Sequence, residues 1–226
     1  MTDVSPRSPE APDIAHFHCR DQDQCRFQLN RFYYPVSMTT GGTDTDFEFG
    51  MQVIQLGPLT VGELSYTAPV TFTVAELDAY HVSMPVKGRM LARHAGNEVT
   101  ADPATGVVFG PGSPVWTRLE AHSTDLDVKI ERAALETELA GLLGRPIDGP
   151  IDLPPAIELS SGPGHRWSRL VRLLRDELSY EHSLIHQPLI AEQLRSSVLS
   201  GLLLSVPHRY HEELTSPATA RPPRAI

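Results

Sequence analysis

Tyr80-His81-Val82-Ser83-Met84-Pro85-Val86-Lys87-Gly88 decides how this chain is read. Tyr80, Val82, Met84 and Val86 alternate with His81, Ser83 and Pro85, the period of two of a strand with unlike faces. Lys87-Gly88 then punctuates it. Upstream, Met51 to Leu56 stops at the turn dipeptide Gly57-Pro58, and Leu59 to Thr67 is a second β-prone run. Downstream, Arg89 to His94 leads to Gly96-Asn97, which suits a tight hairpin because both residues accept positive φ. Gly106 to Phe109 closes on Gly110-Pro111-Gly112. Pro114 to Leu119 follows, and Leu126, Val128 and Ile130 alternate again. At least seven short strands separated by turns predict a closed barrel or sandwich over 26–131.

Beyond Glu131 the period changes. Leu135, Leu139 and Leu142 fall three to four apart on a helix that Gly144 can end, with Pro146 just past it. A proline-rich connector, Asp148 to Pro155, leads to a helix marked by Trp167, Leu170, Val171, Leu174 and Leu178. Arg169, Arg172, Arg175 and Asp176 fall on its wet side. A third helix starts near Pro188, which a first turn tolerates. Its stripe of Ile190, Leu194, Val198 and Leu202, widened by Leu199, Leu203 and Val206, needs two partners: the barrel and a second copy of the chain. Residues 132–214 thus read as a helical dimerisation region. Residues 1–25, polar and proline-bearing, read as a flexible tail, and 215–226 as a linker.

The 226 residues are 40% hydrophobic, enough for a real core. Nineteen basic against 28 acidic residues give a formal charge of -9, which repels phosphate backbones, so direct nucleic-acid binding by these residues is not expected. No apolar run approaches the roughly 20 residues of a membrane span, and the N-terminus has no signal-like apolar core. Cys19 and Cys25 alone do not make a disulfide framework. The expected location is the cytoplasm.

Taken in order, several segments resemble the N-terminal ligand-binding domain of AraC-family transcriptional regulators, in the cupin-like subgroup. They are Tyr80 to Gly88, Ala101-Asp102-Pro103 through Gly110-Pro111-Gly112, Glu131-Arg132-Ala133-Ala134-Leu135, Leu142-Leu143-Gly144-Arg145-Pro146 and Pro207-His208-Arg209-Tyr210. The resemblance covers about residues 27 to 226. It implies a mainly β chain with C-terminal α structure: a cupin-like jelly-roll barrel followed by a helical pair that often dimerises. It also implies two helix-turn-helix units after the linker, which grip promoter DNA. This sequence stops where those units should begin, so DNA is expected as a partner only through a missing C-terminal domain.

His16-Phe17-His18 is the one His-x-His pair, and no suitably placed glutamate follows it. His81, His94 and His122 are widely separated. Cys19 and Cys25 with His16 and His18 do not have the spacing of a zinc knuckle. No Gly-x-Ser-x-Gly elbow or phosphate-cradling glycine loop occurs. The expectation is therefore no metal, no cofactor, no catalytic residue and no enzymatic activity.

A small-molecule effector inside the barrel is expected, with Tyr80, Met84, Met90, His94, Trp116 and Arg118 as candidate contacts. The competing reading is that these residues simply fill the barrel. A one-residue slip in strand phase would exchange the inward and outward sets. Ile190, Leu194, Val198 and Leu202 are the candidate homodimer contacts. The rival functions are a metal-dependent cupin enzyme and a stand-alone interaction protein that poisons full-length regulator dimers.

Overall fold

A computed structural model of the chain describes residues 12–41, 47–178, 180 and 183–216. Two antiparallel sheets face each other. The larger runs in the order β1 (Asp13–Cys19), β3 (Phe49–Leu56), β4 (Leu59–Tyr66), β11 (Ser123–Glu131), β6 (Ala79–Lys87), β9 (Thr105–Phe109) and β12 (Ala156–Glu158). The smaller runs β2 (Ser37–Thr40), β5 (Val70–Val74), β10 (Val115–Leu119), β7 (Met90–His94) and β8 (Asn97–Ala101). From β4 to β7 and again from β8 to β11 the chain passes between the sheets, which is the jelly-roll path of a cupin-like barrel.

Among the described residues there are five α-helices: α1 (Gln22–Phe32), α2 (Arg132–Leu143), α3 (Gly162–Glu177), α4 (Pro188–Ser205) and α5 (His211–Thr215). Gly144 ends α2 in the left-handed conformation at φ 68°, which glycine adopts without steric cost.

The larger sheet is buried on both faces. Its inner face contributes Met51, Val53, Leu64, Val107 and Phe109 to a core between the sheets, joined there by Cys25, Leu29 and Phe32 of α1. Its outer face contributes Ile54, Val61, Val82, Met84, Leu126, Val128 and Ile130 to a second core. Leu135 and Leu139 of α2, Trp167, Val171 and Leu174 of α3, and Val198 and Leu202 of α4 cover that face. In register, β11 places Val128 between Val61 and Val82, and Asp127 between Gly62 and Ser83.

Several expectations change. The tail expected over 1–25 is structured from Asp13 on: β1 pairs with β3, and α1 begins at Gln22. Asp21 caps α1 by accepting a 2.8 Å hydrogen bond from the Gln24 N–H, so Asp21-Gln22-Asp23-Gln24 is a helix start. Residues 1–11 lie outside the described residues, as does the expected linker from 217 on. The hairpin between β7 and β8 turns on Ala95 (φ 48°) and Gly96 (φ 78°), and Asn97 is already in the strand. Of the wet-side arginines, Arg175 is drawn inward and pairs with Glu63 on β4.

The stripe on α4 is used differently from the expectation. Val198 and Leu202 are each 0% exposed, packed in this chain's own outer core. The Trp167 indole N–H donates to the Val198 carbonyl at 2.9 Å, fixing α3 against α4. Leu194 packs on the same core and is partly buried, as is Ile190. For Val198 and Leu202 the chain itself supplies both partners: the sheet on one side and α3 on the other.

Candidate functional site

The site lies between the sheets, on the face of the large sheet opposite to α2, α3 and α4. On β6, His81 and Ser83 point inward while Tyr80, Val82 and Met84 point to the helices. On β11, Asp125 and Asp127 point inward and Leu126, Val128 and Ile130 outward. Tyr33 and Tyr34 follow the end of α1 and close over the same region. Gly62 on β4 makes this possible: a Cβ there would lie 2.5 Å from the Tyr33 hydroxyl.

The polar groups form one network. The Tyr34 hydroxyl meets His81 Nδ1 at 2.8 Å. His81 Nε2 faces Ser83 Oγ at 3.0 Å and Asp127 Oδ1 at 3.1 Å. Ser83 Oγ–H donates to Asp127 Oδ1 at 2.5 Å. Burial, and next the Asp127 charge, hold the Tyr34 phenol well above its ordinary value, so it keeps its proton and can donate it. The pattern is satisfied by the imidazole tautomer with hydrogen on Nε2, donating to Asp127, and a bare Nδ1 accepting from Tyr34.

Around this network lies a cavity of about 70 Å³. Its walls are aromatic and aliphatic, including Tyr66, Phe72, Met90, Phe109, Val115 and Leu119, and Thr117, Ser83 and Asp127 give it a polar side. By the space one water needs, it suits a handful of non-hydrogen atoms. Asp125, one inward position along β11, is buried with Oδ2 unpartnered among the described residues. Burial, then the Asp127 charge, push its carboxyl well above the carboxylate range.

Ser83, His81 and Asp127 are not a hydrolytic triad. That chemistry needs serine on one imidazole nitrogen and the carboxylate on the other. Here both share Nε2, Tyr34 takes Nδ1, and the serine proton goes to the aspartate. Among the described residues, no group of three or more His, Cys, Asp or Glu is placed to hold a metal ion. His16 and His18 are exposed on β1, whereas Cys25 is buried with its thiol toward the Met38 sulfur at 3.6 Å.

The six candidate contacts are scattered. Met90 lines the cavity. Tyr80 and Met84 belong to the outer core. The Tyr80 hydroxyl accepts from the Ile151 N–H at 2.6 Å and donates to Glu136 at 3.1 Å. His94 ties two loops, with Nδ1 3.1 Å from the Pro114 carbonyl and Nε2 accepting from the Gly110 N–H at 3.2 Å. Trp116 stacks under Arg93 at 4.8 Å, and Arg118 is exposed. On β6 and β10 the inward set is the alternate one: His81 with Ser83, and Val115 with Thr117 and Leu119. The signal for it was present in polar residues set into otherwise apolar strands.

The sequence model described as the AraC-binding-like domain matches residues 25–204. This chain belongs to the AraC-binding-like domain family. It is 30% identical over 212 residues to a probable thc operon regulatory protein of Rhodococcus erythropolis, covering 89% of this chain. The chain spans 62% of that relative's length. In structure it is similar to the AraC-like transcriptional activator CuxR, with a TM-score of 0.58 at 14% identity over 85% of this chain and 72% of that one. That likeness extends the shared fold across both the barrel and the helices. Among the described residues, no helix of this family member is long and apolar enough to cross a membrane.

Proposed function

We propose that the chain is the effector-sensing part of an AraC-type transcriptional regulator, acting in the cytoplasm without a catalytic reaction of its own. The observation that carries this reading is the cavity: in a chain of this family, a mostly apolar space between the sheets meets a buried polar network with hydrogen-bonding capacity left over. DNA contact would belong to a helix-turn-helix part outside these residues. The span of 62% of the Rhodococcus relative agrees with this. An effector would act by binding two arrangements of the helices with unequal affinity, since equal affinity shifts nothing.

The test is a thermal-shift screen of the 226-residue chain against a broad metabolite panel, repeated on Thr117→Phe, which fills the cavity. A compound that raises the melting temperature of the parent chain and not of Thr117→Phe supports the reading. A panel without one active compound counts against it.

A homodimer is the second part of the proposal. With Val198 and Leu202 buried inside the chain, the surface would have to use leucines that the same helices leave exposed. These are Leu173 on α3 at 51% and Leu189 and Leu204 on α4 at 67% and 45%.

A further inference from the structure

The Asp127 carboxylate is the most informative group in the cavity. The residue is 8% exposed. It sits on a strand paired on both sides, so the exposure of its side chain is toward the cavity it lines. Oδ1 is saturated by Ser83 and His81. Oδ2 has no hydrogen-bond donor among the described residues. Thr117, 7% exposed and across the cavity, likewise has no partner for its hydroxyl there.

Among the described residues, no lysine or arginine pairs with this carboxylate, and His81 meets only its Oδ1, from Nε2 at 3.1 Å. Lys129, next along the inward face of β11, is committed elsewhere. Its Nζ donates to the Tyr33 carbonyl and lies 5.9 Å from the Tyr34 ring, and the carboxylates acting on it are Asp78 and Glu131. An occupant that expels water from the cavity must therefore replace the solvation of a carboxylate. A neutral group supplies one hydrogen bond, whereas an ammonium supplies the hydrogen bond and the opposite charge. The aromatic rings of Tyr34, Tyr66, Phe72 and Phe109 add faces that attract a cation.

We propose that the cavity takes a small amine, with its ammonium on Asp127 Oδ2 and its short apolar body against the aromatic wall. This rests on the reading of the cavity as the effector site and names the chemical class of the effector.

The test is a titration of the 226-residue chain at pH 7 with n-butylamine, 1-butanol and butyrate, which share one carbon skeleton. Ligand-observed NMR and the chemical shifts of the Met90 methyl report binding. Expected is n-butylamine binding at least tenfold tighter than 1-butanol, with butyrate weaker than both. Asp127→Asn keeps the acceptor for Ser83 and His81 and should reduce the amine to the level of the alcohol. A general attraction of amines to an acidic protein would survive that substitution, which overturns the proposal. If 1-butanol or butyrate binds the parent chain as well as the amine, the amine class is wrong and the cavity reading stands. If none of the three moves the Met90 methyl, the cavity reading itself fails. The comparison within the parent chain holds even if Asp127→Asn does not fold.

Discussion

Asp125 and Asp127 stand two residues apart on one face of one strand, and their surroundings give them different tasks. Asp127 is held by two donors and turned to the cavity. Asp125 is enclosed, with Oδ2 unpartnered among the described residues. Its carboxyl is pushed well above the ordinary 3.8 by burial first and by Asp127 second. Below that ordinary value both the folded and the unfolded chain carry the proton, and the group has no pH effect on stability. As pH rises past it, the unfolded chain releases the proton and the folded chain retains it. Stability therefore falls with rising pH until the folded carboxyl ionises as well. Asp125→Asn, neutral in both states, should remove that slope. In urea titrations its stability relative to the parent chain is expected to be greater at pH 8 than at pH 4. An equal difference at both values would mean that Asp125 is ionised inside the barrel.

At the scale of elements, α4 separates two roles that its sequence runs together. Ile190, Leu194, Val198 and Leu202 read as one stripe, but their environments differ. Val198→Glu places a charge in the outer core beside Trp167 and is expected to unfold the chain, since an unpaired buried charge costs several kcal/mol. Leu204→Glu lies on the exposed side and is expected to leave the melting temperature within a few degrees. If a homodimer uses this side, sedimentation will show it dissociating in Leu204→Glu; a dimer unaffected by it and by Leu173→Glu must use another surface. The helices themselves were legible, because a 3.6-residue period and the punctuation at Gly144 and Pro188 act within one segment. The strands were legible as strands and misleading as to face. Alternation reports which side of a strand is most apolar, and in a sheet covered by helices that side is the outer one. Alternation therefore points to Tyr80 and Met84, whereas the cavity takes His81 and Ser83. The start of α1 was hidden for a different reason. Its capping residues are polar and so resemble a tail, and its apolar Cys25, Leu29 and Phe32 gain meaning only from the barrel they enter.

Across the whole molecule, β6 belongs to both cores at once. His81 and Ser83 line the cavity, and between them and the helices the strand carries Tyr80 on its other face. The Tyr80 hydroxyl accepts from the Ile151 N–H at 2.6 Å and donates to Glu136 on α2. The connector after α2 then reaches α5: the Asp148 N–H donates to the Tyr210 hydroxyl at 3.1 Å, and Arg145 pairs with Glu213 at 2.6 Å while lying over the Tyr210 ring at 5.4 Å. Contiguity alone does not establish coupling, which needs an element whose state both ends bias. The connector is that candidate, and its two attachments differ in strength. Tyr80→Phe leaves the buried Ile151 N–H without an acceptor and should cost about 1–3 kcal/mol. Arg145→Ala removes a solvent-screened ion pair and should cost less than Tyr80→Phe. Hydrogen exchange distinguishes a joint from two unrelated contacts. If the connector transmits, Tyr80→Phe should accelerate exchange in α5 as Arg145→Ala does, although the hydrogen bonds of the Tyr80 hydroxyl go to Ile151 and Glu136 and not to that helix. Exchange in α5 that responds to Arg145→Ala alone would mean the barrel ends its influence at Ile151, and an effector in the cavity would have to reach the helices through α3 and the Arg175–Glu63 pair instead.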